Sequence, residues 1–176
     1  ADRVVVTRVA THPKATHALI LSSKGAVYSV GRGDAGQLGL RRDTVLHAPK
    51  RIMTSLLRDG FAQAIAVTEQ GSAAVTTNGK VLTWGTDSGN GELGWLKSRK
   101  KQHKTPKVAV RCGPEAAQSF SDVAFGDHHA VLLTTSGVVV TLGSNLRGQC
   151  GMDWVLPVPA AGAGEAKADK DAGEQG

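Results

Sequence analysis

The chain has 176 residues, 40% of them apolar, which points to one domain with a packed core. Aromatic residues make up only 4% and Val, Ala, Leu and Gly fill the gap, a mixture suited to thin, tightly stacked sheets. No run of 18 apolar residues occurs, so no helical membrane span is expected, and the formal net charge of +6 favours acidic partners such as nucleic acid or anionic protein surfaces.

The first strand-like run is VVVTRVA from Val4. The chain begins abruptly at Ala1 beside it, as a processed product or a piece of a longer protein would. A second run, THALILSS (Thr16 to Ser23), leads through a Ser-Lys-Gly turn at Gly25 into AVYSVGRGDAGQLG (Ala26 to Gly39). In that third run Ala26, Tyr28 and Val30 alternate with Val27 and Ser29, as on a half-buried strand. A polar loop then closes on Gly36 and Gly39. A Pro-bearing fourth run, HAPKRI, follows from His47, and one or two helical turns are predicted over Ile52 to Phe61.

The same plan returns twice. AQAIAVT from Ala62, SAAVTTN (Ser72 to Asn78) and KVLTWGTDSGNGELG (Lys80 to Gly94) are followed by TPKVAV from Thr105. FSDVAFG from Phe120, HAVLLTT (His129 to Thr135) and VVVTLGSNLRGQCG (Val138 to Gly151) are followed by LPVP from Leu156. Asn78-Gly79 and Ser136-Gly137 are tight hairpin turns, since both positions of such a turn favour positive φ. Gly31, Gly85 and Gly143 recur at intervals of 54 and 58 residues, so the chain is an array of units of four short strands. Leu82 and Trp84 share a face opposite Val81 and Thr83; Val138, Val140 and Leu142 oppose Val139 and Thr141. One face of each strand is bulkier than the other, as in sheets stacked side by side. Radially stacked four-stranded units make a β-propeller. The predicted class is all-β, with units at about 4–52, 62–110 and 120–159 within a repeat domain 1–159. The tail 160–176, which lacks bulky apolar residues, is expected to be disordered or a loop insertion.

The repeated hairpin and glycine loop resembles the regulator of chromosome condensation repeat family. The third copy carries the pattern in Gly126, His129, Gly137, Leu142-Gly143, Asn145, Gly148-Gln149 and Gly151. The second carries it in Gly79, Trp84-Gly85, Gly91 and Leu93-Gly94. The first carries it in His17, Gly25, Val30-Gly31 and Gly36-Gln37-Leu38-Gly39. Gly71 departs from it, standing where the other copies have His17 and His129. The resemblance implies a propeller of about seven blades, of which three are present. It also implies a nuclear or mitochondrial protein and, by analogy with the founding member, nucleotide exchange on a small GTPase of the Ran type.

The glycines (Gly31, Gly36, Gly39 and their counterparts Gly85, Gly91, Gly94, Gly143, Gly148, Gly151) read as turn residues rather than a phosphate cradle, because no helix follows them. In Asp127-His128-His129, adjacent strand residues point to opposite faces, which argues against a shared metal. His17 and His129 are expected to make a repeated hydrogen bond inside the blade. Cys112 and Cys150 fit neither metal spacing nor a disulfide framework, in keeping with a reducing intracellular compartment. No catalytic constellation, metal set or cofactor motif is found. The densest charge lies in a predicted loop, KSRKKQHKTPK, whose Lys97, Arg99, Lys100, Lys101, Lys104 and Lys107 are candidates for contact with phosphates or an acidic surface. Arg41 and Arg42 hold the equivalent loop of the first unit, and Trp95 and Trp154 are expected either to pack the base of the loop or to offer an aromatic anchor to a partner. The expected function is a non-catalytic interaction scaffold or assembly subunit of a larger complex, a ribonucleoprotein being one candidate. GTPase exchange and chromatin or nucleic-acid binding are the alternatives.

Overall fold

The computed structural model describes residues 3–52, 61–95, 102–109 and 119–151. Eleven strands run in chain order: β1 (Val6–Ala10), β2 (His17–Ser22), β3 (Val27–Arg32), β4 (Val45–Arg51), β5 (Ala62–Val67), β6 (Gly71–Thr76), β7 (Val81–Thr86), β8 (Gln102–Val108), β9 (Phe120–Phe125), β10 (His129–Thr134) and β11 (Val139–Gly143). They form three antiparallel meanders: β1-β2-β3-β4, β5-β6-β7-β8 and β9-β10-β11. The expected fourth strand of the third unit, LPVP, lies outside the described residues, as do the tail, Cys112, Trp154 and all but the ends of the predicted helical turns. Among the described residues there is no helix, hence none long and apolar enough to cross a membrane.

The meander follows from the turns. Gly25, Gly79 and Gly137 close the β2–β3, β6–β7 and β10–β11 hairpins at φ of +67°, +76° and +84°. At the other end of each hairpin, a Cβ on Gly31, Gly85 or Gly143 would stand 2.4, 2.2 or 2.4 Å from the carbonyl oxygen of Thr16, Gln70 or His128. Only glycine lets the strand pass that close. The innermost strands β1, β5 and β9 pack side by side, and β4 and β8 are the outer edges of their sheets.

The sheets stack bulky face on small face. From the second sheet Ile65, Val67, Ala74, Leu82 and Trp84 pack on Leu19, Leu21 and Val27 of the first. Its opposite face, Ala64, Ala66, Ala73, Val75 and Val81, receives Phe120, Val123, Ala130, Leu132, Val140 and Leu142 of the third. The alternation read from the sequence thus puts Leu82 and Trp84 on one seam and Val81 on the other. A backbone bond repeats at each seam: the Ala62 N–H donates to the Gly25 carbonyl and the Phe120 N–H to that of Gly79, both at 3.0 Å.

The seam between the first two sheets also carries a buried polar chain. His17 Nε2 lies 2.9 Å from Ser72 Oγ. Ser72 Oγ donates to the Gln37 carbonyl at 2.9 Å, and Trp84 Nε1 donates to the same oxygen at 2.8 Å. Since the Ser72 proton goes to Gln37, His17 Nε2–H is the donor. The histidine therefore bonds across to the next sheet and not, as expected, within its own. His129, the counterpart of His17, has its ring against Gly126, where a Cβ would stand 2.1 Å from Cε1.

Candidate interaction surface

The β1–β2, β5–β6 and β9–β10 connections share one end of the innermost strands and bring three sheets' polar groups together. Asp127, just before β10, accepts from Lys14 Nζ and lies 2.9 Å from His12 Nε2. The Lys14 ammonium bonded to Asp127 holds the carboxyl below the usual carboxylate range, and the carboxylate in turn raises the lysine. Thr68 Oγ1 of the second sheet reaches the Asp127 carbonyl at 3.5 Å. Lower down, Arg8 of β1 pairs with Asp122 of β9 at 3.2 Å. Sequence reasoning placed Asp127 in this motif but missed its partners, because Lys14 is 113 residues away. Among the described residues no group of three or more metal-ligating side chains gathers here or elsewhere.

The His17–Ser72 distance is that of a base and its nucleophile. Ser72 is fully buried, however, and its proton is committed to a carbonyl. Burial pushes the His17 pKa down to about 4, and the Gly71 backbone offsets only part of this. Its Nδ1 makes no well-formed hydrogen bond. The pair ties two sheets together and offers no access to substrate.

The predicted basic loop is only partly a loop. Lys104 and Lys107 stand on β8, an outer edge strand; Lys97, Arg99, Lys100 and Lys101 lie outside the described residues. Lys104 Nζ pairs with Asp43 at 2.5 Å, and its carbonyl accepts from the Arg41 N–H at 3.0 Å. The glycine loop of the first sheet thus rests on the outer strand of the second, and Arg41 (φ +66°), Arg42 and Lys104 fall on one rim. Of the two readings of Trp95 the geometry fits packing at the loop base: it donates to Thr83 Oγ1 at 2.8 Å and its ring meets His103 edge-on.

The loop glycines Gly36, Gly39, Gly91, Gly94, Gly148 and Gly151 all have positive φ. Between Gly36 and Gly39 the loop turns its polar side chain back on itself: Gln37 Oε1 accepts from the Ala35 N–H at 2.8 Å. Gln149 repeats this with Arg147, and Glu92 does so with Ser88 at 2.6 Å. Glu92 is buried and its Oε2 has no partner among the described residues. Leu38, Leu93 and Cys150 fill the equivalent buried slot.

Four-stranded meanders stacked around their innermost strands are blades of a β-propeller. Models of the regulator of chromosome condensation (RCC1) repeat match residues 24–75 and 120–149. The chain is 33% identical over 136 residues to the mouse regulator of chromosome condensation, covering 77% of this chain and 30% of that protein. Among solved structures it superposes on human WBSCR16 (TM-score 0.67, 25% identity, 78% of this chain and 33% of that one). It also superposes on Prp20p of Saccharomyces cerevisiae, studied with Gsp1p and histones (TM-score 0.66, 27% identity, 85% and 35%). The chain is an RCC1-like repeat protein, and it spans about a third of the length of these relatives.

Proposed function

We propose that the chain acts as a non-catalytic docking platform, a set of propeller blades that holds other protein chains within a larger assembly. The observation that carries this reading is the face of the third sheet against which no described residue packs. A Cβ at Gly25 would meet Phe61 at 2.3 Å, one at Gly79 Ser119 at 2.5 Å and one at Gly94 Ala109 at 3.2 Å, yet Gly137 and Gly151 have nothing within 4 Å. Beside them Leu133, Val138, Val139 and Leu146 are exposed. The third sheet holds the turn geometry of a seam with no described residue against it, and contiguous apolar surface of this kind marks an interaction site. Replacing Leu133 and Val139 with Glu should leave the chain folded and remove it from the large species with which the tagged wild type co-sediments from its native cells. Unchanged sedimentation would sink the reading.

A second reading, exchange on a Ran-type small GTPase, is favoured by one observation: Asp127, with His12 and Lys14, stands on the loop-bearing end of the central strands in a chain related to the regulator of chromosome condensation. Its test is release of a fluorescent guanine nucleotide from such a GTPase. Acceleration by the wild type that falls at least tenfold with Asp127→Asn supports exchange, and no acceleration by the wild type removes it. The relatives named for chromosome condensation favour the nucleus.

A further inference from the structure

The two ends of the stack are the two halves of one seam. At each seam inside the chain, the bulkier face of the following blade packs on the smaller face of the blade before it. Leu82 and Trp84 of β7 share a cluster with Val27 of β3, and Val140 and Leu142 of β11 share one with Val81 of β7. The first blade turns its own copy of the bulkier face outward. Tyr28 and Val30 on β3 and Ile20 on β2 are half-buried there, and Val6 and Val9 on β1 are exposed. The third blade turns out the smaller face: Leu133 and Val139 are exposed, with Val131 and Thr141 half-buried beside them.

The backbone bond of the seam is split between the same two ends. Ala62 and Phe120 hold matching places, opposite Thr76 and Thr134 of their own sheets, and each gives its N–H to the hairpin glycine of the blade before. Val6 holds that place on β1, opposite Ser22. The Ser23 N–H bonds the Val5 carbonyl just as Thr77 bonds Phe61 and Thr135 bonds Ser119. In such a ladder the Val6 N–H points away from β2 and out of its own sheet. At the other end of the stack no described N–H reaches the Gly137 carbonyl. The stack therefore begins on the donor and ends on the acceptor of one repeated bond. Single exposed valines need no explanation. A bulky face with a donor at one end and a small face with the acceptor at the other are complementary in both respects. Like does not match like: two third blades would set small face on small face and leave two carbonyls without a donor.

We propose that the face of the third blade takes the first blade of a second copy of this chain, head to tail, with the Val6 N–H of one copy donating to the Gly137 carbonyl of the other. The proposal rests on the docking reading, since it names the occupant of that face. Such a contact is heterologous, so it makes a ring where its rotation closes and an open chain where it does not. The test is the mass of the purified chain in solution at about 100 µM, enough to populate a contact of micromolar affinity. The wild type should exceed the monomer. Val6→Glu with Val9→Glu blocks one end, and Leu133→Glu with Val139→Glu blocks the other. Each double variant should be folded by circular dichroism and monomeric by itself. An equimolar mixture of the two should form a one-to-one dimer and nothing larger, because one matched pair of ends remains. A monomeric wild type would overturn the proposal, as would a mixture that stays monomeric or a first-blade variant that still associates. Should a Glu variant unfold, Val9→Thr and Val139→Thr at the two ends replace it, with the same pattern expected. The docking reading fails separately. If the changes at Leu133 and Val139 release the chain from its large species in cells while the purified wild type is a monomer, that face has another partner and only the self-association falls.

Discussion

The second and third blades share one repeat and differ in what surrounds them. Val81 and Val139 hold equivalent positions on β7 and β11; Val81 is 4% exposed and Val139 48%. Val27, the first copy, is 1% exposed because the second blade covers it. The first blade is sealed on its Val27 and Ser29 face and leaves Tyr28 and Val30 half-buried; the third is sealed on its Val140 and Leu142 face. Among the described residues only the second is closed on both. A residue's burial in such a stack is therefore set by its neighbour blade, and equal local sequence carries unequal energy.

That contrast can be broken at its strongest point first. Trp84 is fully buried in the seam of the first two blades and has no equivalent bond in the next seam, where Leu142 holds its place. Trp84→Ala should cost about 4 kcal/mol in urea unfolding. Leu142→Ala should cost less, about 2 to 3 kcal/mol, since a smaller side chain leaves its seam and no indole hydrogen bond is lost with it.

The next test is pH. The folded pKa of His17 is about 4, below its usual 6.5, so the unfolded chain binds the proton more readily. Stability from this group is complete above pH 6.5 and is lost as pH falls from 6.5 towards 4, by about 3 kcal/mol in all. His17→Gln should remove that component from the pH profile. An unchanged profile would show that His17 is not buried in the neutral form.

A smaller effect, of opposite sign, is expected at Glu92. Its buried Oε2 lacks a partner among the described residues, whereas Gln37 and Gln149 hold the same place in the other blades. Glu92→Gln keeps the bond from Ser88 and should stabilise the chain by about 1 kcal/mol, read from the thermal midpoint.

The hairpins and the all-β class were legible in the sequence because they rest on local rules: alternation, and glycine where φ is positive; of Asn78-Gly79, expected to take positive φ at both positions, only Gly79 does. The seams were not. Nothing near His17 in the chain says that its partner is Ser72, and nothing near Asp127 points to Lys14. The basic segment misled in part, for a local reason: Gln102, His103 and Lys104 read as loop ahead of a strand from Thr105, yet Gln102–Val108 is one strand held by its ladder to β7. Pairing across the sheet overrides composition there. The site was legible as a set of residue types and not as a surface, since the rim joins Arg41 to Lys104 across two blades.

The central claim is that the face at Gly137 repeats the seam geometry of Gly79 with no described residue packed against it. Paired denaturant unfolding of Gly79→Ala and Gly137→Ala tests it most directly. The two sites carry nearly the same φ, +76° and +84°, so the backbone strain of alanine is common to both. Of the two, only Gly79 faces a described neighbour, with Ser119 Cβ at 2.5 Å and Cα at 2.8 Å from the added atom. The account predicts a loss of about 1 kcal/mol at Gly137 and of about 3 kcal/mol or more at Gly79. Equal losses at the two positions would contradict it.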